Sequence, residues 1–209
     1  GPLGLTLVAD LALERFDRRD LGLRESYLMV ALTWLAIAFV GAIPFVLAGQ
    51  GVLADPINAM FESMSGVTTT GATVIDSFDA HGKSIHLWRA LLQWMGGLGI
   101  LVLAVAVLSQ ISVGGAQLME TETQTQDLTK LTPRIEETAR LLGMLYVGLT
   151  ALMVLSWLAL RVAGLAPNVT LYQAVAHAFT AVSTAGFSPE PASLGYFSPA
   201  VQWVTILFM

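Results

Sequence analysis

Two short polar stretches interrupt a largely apolar chain: Thr68-Thr69-Thr70-Gly71 and Ser183-Thr184-Ala185-Gly186. Each joins hydroxyl-bearing residues to a glycine. A cation stripped of water needs oxygens in place of its hydration shell, and backbone carbonyls can supply them. Glycine admits the positive φ that turns a carbonyl toward a common axis. Thr and Ser add hydroxyls that coordinate or brace. The plainer alternative is an ordinary helix-ending turn, and one Thr-Gly turn alone would not decide between the two.

Other chemistry is poorly supplied. The chain has no cysteine, which excludes disulfides, thiol catalysis and Cys-based metal sites. His81, His86 and His177 lack the close spacing and carboxylate support of a zinc site. Ser183 and His177 share one short segment without a Gly-x-Ser-Gly pattern, which speaks against an intramembrane Ser/His protease. We expect no enzyme and no cofactor. The net charge of -5 gives no reason to expect nucleic acid as a partner.

The elements that must hold the two stretches follow from composition. Of 209 residues, 55% are hydrophobic and 12% charged, with a mean hydropathy of +0.70. Soluble domains carry about 25% charged residues, so much of this surface is expected to face lipid. An all-α membrane protein is the expected fold class. Tyr27–Ala48 is long enough, at roughly 33 Å, to cross a bilayer. Pro44 near its end is tolerable if neighbours satisfy the backbone.

Asp55-Pro56 reads as a cap followed by a first-turn proline. The helix it opens, Pro56 to about Val67, reaches only roughly 18 Å and cannot cross. It carries Asn58, Glu62, Ser63 and Ser65, so lipid exposure would be costly. A re-entrant helix shielded by protein is expected. Further spans are expected at about His86–Leu108 and Leu141–Val162, with small residues at Gly96-Gly97-x-Gly99 for close helix approach. A second short helix follows at about Leu171–Val182, and a fourth span begins near Pro199. The expected organisation is an N-terminal segment 1–26, a first repeat 27–109, a polar linker 110–136 with a helix start at Thr132-Pro133, and a second repeat 137–209. Gly1-Pro2-Leu3-Gly4 is compatible with a protease-cleavage scar, and we expect the chain to be a piece of something longer.

Superposing Gly71 on Gly186 aligns the halves. Ala59 then falls on Ala174, Val67 on Val182, Thr69 on Thr184 and Trp88 on Trp203. Asn58 meets Gln173, Ser65 meets Thr180, Thr68 meets Ser183, and Thr73 meets Ser188. Glu62 and His177 are equivalents; neither lies in a loop, and neither is assigned ion ligation. Each unit has two crossings, so the repeats are parallel. Arg15, Arg18, Arg19, Arg24, Lys130, Arg134 and Arg140 are seven of the ten Lys and Arg residues. By the positive-inside rule they put the N-terminus and linker in the cytoplasm. Both loops then enter from outside, with Asp76, Asp79 and Glu190 near the outer mouth, where acidic charge concentrates cations.

The run Phe61-Glu62-x-Met64-Ser65-Gly66-Val67-Thr68-Thr69-Thr70-Gly71-Ala72-Thr73 resembles the first pore loop of the Trk/Ktr/HKT superfamily of potassium transporters, most closely its bacterial TrkH-type members. Arg89-x-x-x-Gln93-Trp94-Met95-Gly96-Gly97-x-Gly99-Ile100 resembles the helix after it. Leu131-Thr132-Pro133-Arg134-Ile135 resembles the cytoplasmic linker, and Ser183-Thr184-Ala185-Gly186-Phe187-Ser188 the second filter loop. The resemblance implies four repeats around a pseudo-fourfold pore, two of them here. It makes Thr68, Thr69, Thr70, Gly71 and Ala72, with Ser183, Thr184, Ala185, Gly186 and Phe187, the filter residues. Potassium would lie at Thr69, Thr70, Thr184 and Ala185. Ala185 stands where the first loop has Thr70, which favours backbone oxygens over a ring of identical hydroxyls. The family further implies homodimers, a cytoplasmic nucleotide-binding regulatory subunit, and a multi-pass protein of the inner (cytoplasmic) membrane that takes up potassium. The alternatives are a sodium-permeable or potassium/sodium-coupled member and, further off, a non-conducting scaffold.

Arg89, just inside a span, needs a partner or water. Glu62 and Asp76 are candidates, and snorkelling to the interface is the alternative. An Arg89–Glu62 pair would brace the short helix. Trp88, Trp157 and Trp203 are expected as interfacial anchors or packing. Glu120–Asp127 reads as a solvated linker, with regulatory docking as the other reading.

Overall fold

A computed structural model describes residues 23–119 and 131–209, with backbone alone for 23, 26, 105–119 and 131–136. The expectations for residues 1–22 and for Glu120–Asp127 lie outside the described residues. The chain divides into two compact units, Gly1–Leu35 and Ala36–Met209. The described part of the first is the opening of helix α1 (Leu23–Ala48). The second holds the rest.

Among the described residues every regular element is helical. After α1 come a 3₁₀ turn (Gly51–Ala54), α2 (Pro56–Val67), α3 (Lys83–Met119), α4 (Leu131–Val162), α5 (Leu171–Val182), a 3₁₀ turn (Ser193–Tyr196) and α6 (Pro199–Phe208). Three stretches are long and apolar enough to cross a membrane: Tyr27–Ala48, Lys83–Ala104 and Glu137–Val162. Phe39, Leu47, Leu155 and Val162 stand exposed on them, as expected of helices solvated by lipid tails rather than water. A long helix, a short helix, a loop and a further helix occur twice in that order.

Local sequence fixes the two short helices at equivalent residues. The Asp55 carboxylate accepts from the amides of Ile57 at 2.9 Å and Asn58 at 3.1 Å, with Pro56 in the first turn. At the matching place Thr170 forms a capping box with Gln173. Each cap is worth about 1 kcal/mol. Both helices are only 12 residues long and bury polar side chains, including Glu62, Ser63, Gln173 and Thr180.

Helix α3 packs against α2, α4 and α5 and so joins the repeats. Glycine makes the contact possible. A Cβ on Gly96 would strike the Val67 carbonyl at the end of α2, and one on Gly97 would meet Ser183 and the Tyr146 hydroxyl. Around α5 the core is Met153, Trp157, Val169, Phe197 and Val201, with Ala174, Ala178 and Ala181 admitting the close approach.

One expectation is adjusted, and one stated alternative is decided. Helix α3 runs on to Met119, through the start of the stretch read as a polar linker; the residues there are uncharged and compatible with helix. Trp157 is fully buried against His177 and Phe197, with ring centroids at 5.0 and 4.9 Å, so it packs rather than anchors. Trp203 is exposed, and the Trp88 indole donates to the Gly41 carbonyl at 2.9 Å.

Gly96→Val should destabilise the protein by about 1–3 kcal/mol through overpacking. Gly148→Ala should be neutral or stabilising by up to about 1 kcal/mol, because nothing lies within 4 Å of its added Cβ. Thermal unfolding in detergent separates the two; equal melting points would contradict the packing account.

Candidate functional site

The loops that follow α2 and α5 have the same backbone. In the first, the amides of Thr69, Thr70 and Gly71 turn back onto Gly66 and Ser65, at 3.0, 2.9 and 3.5 Å. In the second, Thr184, Ala185 and Gly186 turn back onto Ala181 and Thr180, at 2.8, 2.9 and 3.4 Å. Inside a membrane such internal pairing is the only available satisfaction. It engages the amides of each loop within the last turn of its own short helix.

Gly71 and Gly186 have φ of 77° and 88°, the left-handed region that glycine enters without steric cost. Thr69 and Thr184 have φ of 55° and 54°. A β-branched residue there is an outlier, costing about 1–3 kcal/mol, and such strain collects at functional sites. Positive φ thus recurs at the same alternate residues of both loops. Thr69 and Thr184 are among the residues named from the sequence, but positive φ is expected there only of the glycines. The signal at the threonines was the Thr69–Thr184 identity, where neither position needs a hydroxyl for capping.

The loops touch. A Cβ on Gly71 would collide with the carbonyl oxygen of Ala185, whereas one on Gly186 meets open space. Several hydroxyls brace rather than reach outward. Thr68 donates to the Met64 carbonyl at 2.8 Å, and so receives from Thr70, also at 2.8 Å. Ser183 donates to the Phe179 carbonyl at 2.8 Å. Thr184, Gly186, Thr70 and Ala72 are exposed.

Behind the first loop lies a buried ion pair. Arg89 is 1% exposed and Glu62 0%, with Nη2 to Oε1 at 2.6 Å and Nε to Oε1 at 2.7 Å. Arg89 therefore does not snorkel, and Glu62 rather than Asp76 is its partner. Glu62 also receives the Thr73 hydroxyl at 2.9 Å and the Val74 amide at 3.0 Å. Arg89 Nη2 donates to Thr73 at 3.1 Å. The carboxylate thereby ties the short helix α2 to the far end of the loop.

The second repeat makes the same tie with neutral groups. His177 Nε2 lies 3.0 Å from the Ser188 hydroxyl and Nδ1 lies 2.9 Å from the Gln173 carbonyl. A carbonyl only accepts, so Nδ1 carries the proton and Nε2 accepts from Ser188. Burial pushes the His177 pKa below its ordinary 6.5, against the opposing pull of the Gln173 carbonyl and Glu190. Glu190 is not a free mouth charge: it accepts from Gln173 Nε2 at 2.7 Å. Asp76 and Asp79 are exposed. His81 and His86 sit at 6.0 Å, ring to ring, with Nδ1 of His81 on the Ser77 carbonyl and Nε2 of His86 on that of Phe78.

The family model for the TrkH cation transport protein matches residues 5–209. The Trk system potassium uptake protein TrkH of Halomonas elongata is 42% identical over 93% of this chain and 39% of its own length. The protein of that name from Escherichia coli K12 is 41% identical over the same shares. TrkG of Escherichia coli K12 is 36% identical over 84% of the chain and 35% of its own. The crystal structure of the potassium transporter TrkH from Vibrio parahaemolyticus superposes with a TM-score of 0.72 at 37% identity, covering 91% of this chain and 36% of that one. The chain thus spans about two fifths of the length of these curated relatives.

Glu62→Gln should cost about 3–5 kcal/mol, because it leaves Arg89 buried without a counter-charge. The swap Glu62→Arg with Arg89→Glu should recover part of the loss in thermal unfolding; no recovery sinks the pairing. The folded state holds His177 neutral, so its stabilisation is complete above about pH 6.5 and fades as pH falls toward the lower folded value. Melting points at pH 7.5 and 5.5 should differ less in His177→Gln than in the wild type.

Proposed function

Because the chain belongs to the TrkH family of cation transport proteins, we propose that it forms part of an ion-conducting potassium-uptake subunit, with Thr68–Ala72 and Ser183–Phe187 as two of its filter loops. The observation that carries this reading is the matched backbone of the loops. Positive φ falls at the same alternate residues in both, and the Ala185 carbonyl of one packs on Gly71 of the other. Dehydrated potassium would pass carbonyls contributed at Thr69, Thr70, Thr184 and Ala185, down its electrochemical gradient and without covalent chemistry. The negative ends of α2 and α5 face the loops and favour a cation. The open space beside Gly186 suits a further loop packing there as Ala185 packs on Gly71, in keeping with the four repeats that the sequence resemblance implies.

The charge bias of the sequence supports a cytoplasmic N-terminus and loops entering from outside. The uptake system named for its relatives supports an inner-membrane location. A homodimer and a nucleotide-binding regulatory subunit rest on the family resemblance alone.

The test is rubidium uptake by the polypeptide carrying this chain, in a host lacking its own potassium transport. Wild type should restore uptake. Gly71→Val and Gly186→Val should each abolish it or admit sodium, because positive φ is hardly accessible to Val. Wild-type transport and selectivity in both variants would overturn the filter assignment.

A further inference from the structure

The two loops are anchored differently at the residue after the filter glycine. In the first repeat that residue is Ala72, and its carbonyl accepts the Ser65 hydroxyl at 2.6 Å. The loop is thus held by its own short helix. In the second repeat the residue is Phe187, and the Ser65 position is Thr180. Thr180 donates instead to the His177 carbonyl at 3.2 Å, so that internal anchor is not available to Phe187.

Phe187 is held from the other repeat. Its amide donates to Gln93 Oε1 at 3.1 Å, and the guanidinium carbon of Arg89 lies 4.2 Å from its ring centroid. Arg89 and Gln93 are one turn apart on α3 and are 1% and 0% exposed. An amide N–H only donates, so the oxygen of Gln93 must face Phe187. The ring lies over the cation as a cation–π contact requires. The positions equivalent to Arg89 and Gln93 in the second repeat are Val204 and Phe208, which can offer neither a cation nor an amide.

We infer that Arg89 and Gln93 of the first repeat are positioning residues for the second filter loop, gripping Phe187 by ring and amide, and thereby set the ion preference of that loop. The inference rests on the filter reading above. Arg89 then serves two loops: through Glu62 and Thr73 it fixes the first, and through Phe187 the second. A shift of Phe187 moves Gly186 directly, since the two share a peptide bond, and with it the carbonyl of Ala185 lying against Gly71.

The experiment measures rubidium and sodium uptake, with KM and maximal rate, by the membrane-inserted polypeptide carrying this chain. Gln93→Met keeps the volume and removes the acceptor; Phe187→Leu removes the ring. The sodium-to-rubidium ratio should rise about 2- to 10-fold in Gln93→Met, the size of one lost buried hydrogen bond. It should rise similarly in Phe187→Leu, and the double variant should shift less than the product of the two. A merely structural contribution would lower the maximal rate or the amount of protein and leave the ratio alone; that result, or independent effects in the double variant, overturns the inference. Failure of the wild type to carry rubidium overturns the underlying filter reading instead.

Discussion

Arg89 carries a charge that no apolar neighbour can accommodate, and it sits inside a membrane span at 1% exposure. Desolvating an ion costs several kcal/mol, and a partner offsets that only with good geometry and further hydrogen bonds. Glu62 supplies both, and its second oxygen is occupied by the Val74 amide. Each member of the pair is therefore a reason for the other's position. The consequence is mechanical. Glu62 is on the short helix, Arg89 on the long one and Thr73 at the end of the loop between them. Three segments that hydrophobic packing would leave free to slide are held in one register.

A second constraint is the reach of the backbone. The loop donors must find acceptors without water, and they find them in the last turn of the helix just ended. That turn can receive them only if the chain doubles back sharply, which puts Thr69 and Thr184 at positive φ. The strain is held in place by what surrounds the loop. Helix α3 crosses close behind because Gly96 and Gly97 present no side chains, so the loops cannot relax into the space behind them. Strain, small residues and the buried ion pair are three parts of one solution to holding the two loops in place.

Much of this was legible in the sequence because it depends on local chemistry. Asp55-Pro56 announces a helix start wherever it falls, and the bounds Pro56–Val67 and Leu171–Val182 follow from caps and from the polar breaks after them. The repeat was visible because Thr69 and Thr184, or Ala59 and Ala174, are pinned by tight geometry and tolerate little change. The rest depends on tertiary neighbours. Nothing beside Arg89 in the sequence distinguishes Glu62 from Asp76; the choice is made by how α2 lies against α3. The sequence leaves Trp157 as an interfacial anchor or as packing, and only its contacts with Phe197 and His177 show it to be core. The helical stretch up to Met119 is uncharged but not strongly apolar, so its composition favours neither helix nor linker.

The repeats share a backbone, yet the groups that hold it have diverged. The first uses a carboxylate and a guanidinium, the second a neutral imidazole and a hydroxyl. In both, the short helix is tied to the loop at equivalent residues, Glu62 to Thr73 and His177 to Ser188. The geometry of the tie is what the fold requires, and its charge is open to variation. One guanidinium is already buried where the halves meet, over the ring of Phe187. A second carboxylate at position 177 would have no cation of its own, because Val204 stands where an arginine would be needed, and the two acids would compete for Arg89. A neutral tie in the second repeat avoids that conflict. Near-identical loops can therefore stand on different supports, and it is in those supports that a parallel repeat can be tuned one loop at a time.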